Sequence, residues 1–285
     1  VSTLLSTYPN TAMIQAAGPR NCLQANDWIC GEYVRSRGQE LLDATVQHVW
    51  ITVASVAIGL LIAFPLALLA RQRRGAAGPV LGLTTILYTV PSLAMFALLT
   101  PLFGVSAAVV VTGLVLYSLT ILVRNILAGL QAVPEEVREA ARGMGYGPLR
   151  LLFQVELPLA LPALMAGLRI ATVSTVAMTT IGAVVGFGGL GNLIDSGMQG
   201  FFKAEVLTAS VLCVLLALIA DLLLVGVQRA LTPWTRAGRA GTGGAGAGGK
   251  DEEGTGGRDG KGGTGGGRPG AGRTRGLGRE RKAVA

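Results

Sequence analysis

Five apolar stretches, each close to twenty residues or longer, set the terms for this chain: residues 45–70, 79–100, 105–123, 166–185 and 206–227. A helix of roughly 20 residues spans the hydrocarbon of a bilayer, where every backbone N–H and C=O must be satisfied within the segment. The pattern therefore dictates an all-α integral membrane protein, a bundle of about five transmembrane helices. A sixth span, or a re-entrant piece near residues 189–200, is left open. Only 14% of the 285 residues are charged, against about a quarter in a soluble domain. The first stretch follows some forty mostly polar residues and precedes no small-residue cleavage site. It reads as a span, not a signal peptide.

The basic residues give a direction. Arg71, Arg73 and Arg74 follow the first span and Arg124 ends the third. Arg138, Arg142 and Arg150 lie between the third and fourth, and Arg229 and Arg236 follow the fifth. With five spans, all these flanks share one face, and short loops rich in Lys and Arg stay in the cytoplasm. The opposite loops, 101–104 and 186–205, hold one basic residue, Lys203. A multi-pass plasma-membrane protein is expected, N-terminus outside and C-terminus cytoplasmic. The net charge of +8 is then topological, with a large share in the tail, and implies no nucleic-acid partner.

Three regions follow. Residues 1–40 form a polar extracytoplasmic arm in which Cys22 and Cys30 are a candidate disulfide, two unpaired thiols being the alternative. Residues 41–231 form the transmembrane domain, with Cys213 a small packing residue inside it. Residues 232–285 are a Gly/Arg-rich cytoplasmic tail, too poor in large apolar side chains to order itself. That tail either touches anionic membrane lipid or is a dispensable extension.

Two glycine-rich stretches mimic nucleotide sites. The run from Gly244 to Gly249 and Lys250 has Asp251 where a phosphate loop needs Ser or Thr, and lacks the flanking strand and helix. The run from Gly186 through Gly188 to Gly191 follows an apolar span, not a strand. Neither binds a nucleotide, so no ATPase is expected in this chain. His48, the only histidine, falls at the outer edge of the first span and reads as an interfacial polar group. With no Cys/His cluster and no paired intramembrane carboxylates, no catalytic residue, cofactor or metal is expected.

A charged interruption, residues 134–158, separates the third and fourth spans. Pro134 followed by Glu135 and Glu136 is a strong helix start. Ala140 and Ala141 have almost no side chain, so another protein's surface can come close to the backbone. Gly143, Gly145 and Gly147, with Pro148, turn the chain. An apolar segment from Leu149 to Val155 follows, with Pro158 and Pro162 expected to stop it. The layout predicts a helix–turn–helix elbow on the cytoplasmic face.

Here the residues reach a family. Glu139, Ala140 and Ala141, three residues, Gly145, nine residues, then Val155, Glu156, Leu157 and Pro158 resemble the EAA motif of ABC-type import permeases. That pattern is Glu-Ala-Ala-x3-Gly-x9-Ile-x-Leu-Pro, and only Val155 departs from it. From about residue 41 to 231 the chain is similar to the osmoprotectant subgroup, importers of glycine betaine, carnitine and choline. Tyr88-Thr89-Val90-Pro91-Ser92, Pro101-Leu102-Phe103-Gly104 and Gly188-Gly189-Leu190-Gly191 carry that similarity. The resemblance implies a MetI-like permease architecture with a coupling-helix elbow. It implies four kinds of partner: cytoplasmic ABC ATPase subunits that bind the ATP, a second permease chain (same or homologous), an extracytoplasmic substrate-binding protein, and membrane lipid. Glu139, Ala140, Ala141, Gly145, Val155, Leu157 and Pro158 would then be the ATPase-coupling residues.

Inside the membrane, Thr172, Ser174, Thr175, Thr179 and Thr180 are candidate pathway lining, with helix packing the alternative at each. Pro91 breaks the second span, freeing carbonyls beside a cavity or simply kinking the helix. Arg169 and Asp221 are a candidate intramembrane ion pair, with a gating contact or snorkelling as alternatives. Quaternary ammonium recognition favours aromatic cages. Only 5% of residues are aromatic and no aromatic cluster is expected in the spans, which puts substrate selection in the binding protein. The competing readings are the same machine for methionine or another amine, and an ion-driven secondary transporter. The second would usually show two repeats and intramembrane ion ligands; the sequence shows neither.

Overall fold

The computed structural model describes residues 21–73 and 75–233. The first half of the expected arm, Arg74, and nearly all of the expected tail with its phosphate-loop mimic lie outside the described residues.

Two short helices, α1 (Cys22–Ala25) and α2 (Gly31–Ser36), lead into α3 (Gly38–Gln72). The arm is thus partly helical, and the first long helix starts before the expected boundary at residue 41. At 1.5 Å per residue, α3 is about 50 Å long, more than a bilayer core requires. His48 consequently lies about three turns inside the helix. It is fully buried, with its Nε2 3.0 Å from the Val176 carbonyl. The interfacial reading of His48 is corrected: a neighbouring helix covers it.

The second stretch is two helices, α4 (Ala77–Thr89) and α5 (Ser92–Phe103), bent by 97°. Pro91 supplies no N–H and drives Val90 into an extended conformation, φ −66° and ψ 127°. Gly104, at φ +66°, closes α5 and turns the chain into α6 (Ala107–Gln131). Contacts along α6 show what the broken pair does. Arg124 donates to Thr85 Oγ1, Thr120 to the Thr84 carbonyl, Tyr117 to the Val90 carbonyl, and Phe96 fills the space beside Gly113. The two pieces follow α6 from its second half toward its start, antiparallel to it along its length.

The interruption folds as α7 (Glu135–Gly143), α8 (Pro148–Leu151), a π-helical turn at Leu152–Glu156, and α9 (Leu157–Thr179), which ends in a 3-10 turn at Thr180–Val185. Pro158 and Pro162 do not stop the chain; Pro148–Val185 runs on for 38 residues. Leu157 N–H bonds the Leu152 carbonyl, five residues back, and this wider turn makes room before the proline ring. Pro158 then falls in the first turn of α9, where its missing N–H costs little. The fourth span therefore begins well before residue 166.

Next comes α10 (Leu190–Gln199), then α11 (Lys203–Leu231). Ten residues make about 15 Å of helix, too short to cross a bilayer, so α10 is no sixth span. Among the described residues, four helices are long and apolar enough to cross, or five when the bent pair is taken as one span.

The core gathers on α6. Leu122, Val123 and Ile126 pack against Ala63 and Ala67 of α3 and Ala160 and Ala171 of α9. Gly59 meets Ser118, and Gly167 meets Asn125. Water-driven burial does not operate between helices in lipid, so close packing of small residues holds them together. In the most apolar stretch of α11 no residue is fully buried by this chain.

Candidate functional site

The elbow comes first, since its spacing singled it out. Pro134 caps α7, with Glu135 and Glu136 in the first turn, next to the helix's positive end. Gly145 adopts φ +84°, and Gly145 N–H and Tyr146 N–H bond back to the carbonyls of Arg142 and Ala141 at 2.9 and 3.1 Å. Such a left-handed closure favours glycine. Glu139, Ala140, Gly143 and Gly145 stand exposed, whereas Ala141 turns into the protein and is buried. Met144, and Leu149 at the start of the apolar segment, expose 70% and 73% of their surface beside this knob, so Leu149 does not turn toward its own bundle. Val155, Leu157 and Pro158 are half-buried at the root of α9. The motif thus divides into an open face and an anchor.

The two parts are joined by a residue the motif pattern leaves free. Glu156 is 2% exposed, and the Arg71 guanidinium grips both its carboxylate oxygens. Arg138 of α7 approaches from the other side, Nε 3.2 Å from Glu156 Oε1, and donates from Nη2 to the Leu130 carbonyl at 2.6 Å. Arg138 Nη1 and Arg142 Nη1 both reach Glu135, at 2.8 and 3.1 Å. Those bonds, that from Arg138 first, hold the Glu135 carboxyl below the usual carboxylate range. A buried carboxylate needs paired charge and satisfied hydrogen bonds. Glu156 obtains its hydrogen bonds from Arg71 at the end of α3 and a second opposite charge from Arg138 of α7, so the ends of α3, α6 and α9 are tied to the elbow. The signal was a lone Glu in an apolar run, together with an arginine closing the first span.

The intramembrane candidates scatter. Arg169 and Asp221 meet in a two-pronged pair, Nε–Oδ1 2.7 Å and Nη2–Oδ2 2.8 Å, joining α9 to α11. Thr172, Thr175, Thr179 and Thr180 each donate to a carbonyl of their own helix. Thr179 also lies 3.4 Å from Thr52 of α3. Thr172 faces an apolar groove with Leu168 and Leu223, while Ser174 and Thr175 line a different cavity with Tyr88 and Tyr117. The five hydroxyls do not share one face. Tyr88 and Tyr117 meet edge to face, ring centroids 5.9 Å apart. An aromatic pair therefore does exist in the spans, made by residues distant in sequence.

At the other end of the bundle, Cys22 and Cys30 are disulfide-bonded, Cα atoms 5.5 Å apart. Asn26, inside the bonded loop, donates to the Phe201 carbonyl at 2.8 Å and accepts from Lys203 N–H at 2.9 Å. Tyr33 is buried edge-on to Phe202; burial first and Glu205 second push its phenol up to about 12.

With this geometry in view, comparison with known proteins is informative. Residues 49–237 match the family described as "Binding-protein-dependent transport system inner membrane component". The osmoprotectant import permease protein OsmW of Salmonella typhimurium is 37% identical over 206 residues, covering 70% of this chain and 96% of that one. The choline transport system permease protein OpuBB of Bacillus subtilis is 33% identical over 202 residues, covering 71% and 93%. Among solved structures, an inward-facing MetNI methionine ABC transporter chain superposes with a TM-score of 0.61 at 23% identity, covering 67% of this chain and 96% of its own. That last likeness bears on the fold alone.

Proposed function

We propose a function from one premise: the chain belongs to the family of binding-protein-dependent transport system inner membrane components. It is a multi-pass permease subunit of an ABC importer. We infer that its cargo is a quaternary-ammonium osmoprotectant such as glycine betaine, carnitine or choline, as the names of its relatives suggest. ATP hydrolysis falls to separate cytoplasmic subunits, a second permease chain completes the path, and an extracytoplasmic binding protein delivers the solute. The N-terminus lies outside and the C-terminus in the cytoplasm.

The observation that carries the mechanism is the wiring of the elbow. Its open face offers small residues, exposed Met144 and Leu149, and the charges of Glu136 and Glu139 to a partner. Its inner face holds Arg138 against Glu156. When ATP draws the two ATPase subunits together, the docked α7 follows. Arg138 carries the motion to Glu156 and Arg71, and so to the starts and ends of three membrane helices. A rigid-body rocking of the bundles then exchanges inward and outward access. ATP can favour one state only through contacts that differ between states, and the elbow is where this chain can make them.

The test is uptake of labelled glycine betaine by the reconstituted importer, with choline and methionine as parallel arms. Gly145→Asp puts a side chain at φ +84° and a charge on the docking face. Subunit assembly with loss of ATP-driven uptake supports the reading. Full uptake by that variant would remove the coupling role, and uptake of methionine alone would replace the cargo.

A further inference from the structure

The break in the second span has chemistry of its own. A helix that ends inside a membrane leaves its last carbonyls without helical partners, and the partial negative charge of its dipole collects there. At the end of α4, the Val90 carbonyl is taken by the Tyr117 hydroxyl, and Thr89 Oγ1 turns back to the Ile86 carbonyl. Tyr88, from the last turn of α4, sets its ring across that of Tyr117 at 78°. Leu114, Ser118, Ile121, Ser174, Thr175 and Met178 complete a cavity of about 30 Å³, and no charged side chain lines it. Tyr88 is half-exposed on this chain, so part of its ring is uncovered.

A compact ammonium or metal ion would find no carboxylate here to repay its lost hydration. A cation whose charge is spread over methyl groups is a better match. It sheds water cheaply and is attracted to aromatic faces and to the negative end of α4. The cavity in this conformation admits only water-sized guests. A larger guest needs the half-exposed Tyr88 ring to turn aside, which suits a constriction and not a store.

We propose that Tyr88 and Tyr117 form a cation–π gate on the transmembrane path that admits a quaternary ammonium group. The inference rests on the cargo class given above. It adds a selective step inside this chain, where the sequence placed all selection in the binding protein. Tyr117 holds the break through its hydroxyl and presents its ring from α6, while Tyr88 supplies the movable face.

The experiment uses the complete importer in proteoliposomes, with uptake of labelled glycine betaine and choline read beside ATP hydrolysis. Tyr88→Phe keeps the ring and retains uptake. Tyr88→Leu lowers uptake of both solutes about tenfold, while hydrolysis stimulated by the loaded binding protein changes less than about twofold. A second series does not depend on how leucine packs: phenylalanine carrying one, two or three ring fluorines at position 88 keeps the shape and drains the negative face. Uptake falling stepwise with fluorination supports the gate. A flat series, or Tyr88→Leu at the wild-type rate, overturns it while leaving the cargo class intact. A wild-type importer that moves no quaternary ammonium solute overturns the cargo class and the gate together.

Discussion

Two arginine–carboxylate clasps hold this chain, alike in geometry and opposite in setting. Glu156 is gripped by Arg71 and approached by Arg138, with side chains 3%, 21% and 14% exposed. Arg169 and Asp221 form an equally well-aimed pair, yet stand 34% and 30% exposed at the edge of the bundle. The first clasp ties the elbow to the ends of α3, α6 and α9. The second ties one helix to one other. Burial and the number of elements joined, not bond length, separate a transmission element from a brace. Breaking a buried pair leaves an uncompensated charge held among several elements, whereas at the bundle's edge a long arginine side chain left alone can swing toward the membrane surface.

The largest effect should come from Glu156→Ala, which strands Arg71 and takes from Arg138 one of its two carboxylate partners. A loss of about 3–5 kcal/mol is expected, read as depleted subunit in membrane fractions. Glu156→Gln keeps the shape, and there the assembled complex should hydrolyse ATP with less solute moved per ATP. Gly145→Ala comes next. A side chain at φ +84° strains the turn by about 1 kcal/mol, lowering coupled transport without depleting the subunit. Asp221→Asn should be milder, slightly lowering the melting temperature of the solubilised subunit, with transport per assembled complex unchanged. If it reduced transport per complex as much as Glu156→Gln does, the contrast between the clasps would be lost.

The smallest effect concerns pH. Glu135 is exposed and its carboxyl titrates below the usual range because Arg138 and Arg142 bond it. A depressed carboxyl contributes stability that is present above its unfolded pKa and fades as pH falls through the lower folded value. ATP-driven uptake should therefore be flat from neutral pH down to the ordinary carboxylate range and decline only below it. Glu135→Gln should remove that acid limb and otherwise change little.

Much of this was legible in the sequence, unevenly. Apolar length gave the spans, because a bilayer leaves helices few alternatives, and the break at Pro91 followed from the proline itself. The elbow was visible because its parts stand at fixed spacing. Pro158 misled: reading proline as a stop assumes α-helical bonding upstream, and a π turn at Leu152–Glu156 lets the chain continue. Glu156 was hidden in a position the motif leaves free, and its partners Arg71 and Arg138 lie in other elements. Tyr88 and Tyr117 became neighbours only once α4 folded back along α6. The hydroxyls of α9 looked like one lining because helical spacing alone does not say which neighbour covers each face.

The central claim is that the exposed face of α7 docks on an ATPase subunit and moves with it. Cysteine at Ala140, in a chain whose Cys213 is replaced by serine, tests this directly when paired with a cysteine introduced on the ATPase surface that faces the permease and oxidised with copper phenanthroline in the assembled importer. The account predicts a cross-linked permease–ATPase product whose yield changes when ATP is bound, and none from a cysteine at Leu222 on the outer face of α11. An Ala140 cysteine that forms no such product in a fully active complex, or forms it no more readily than Leu222, would contradict the account.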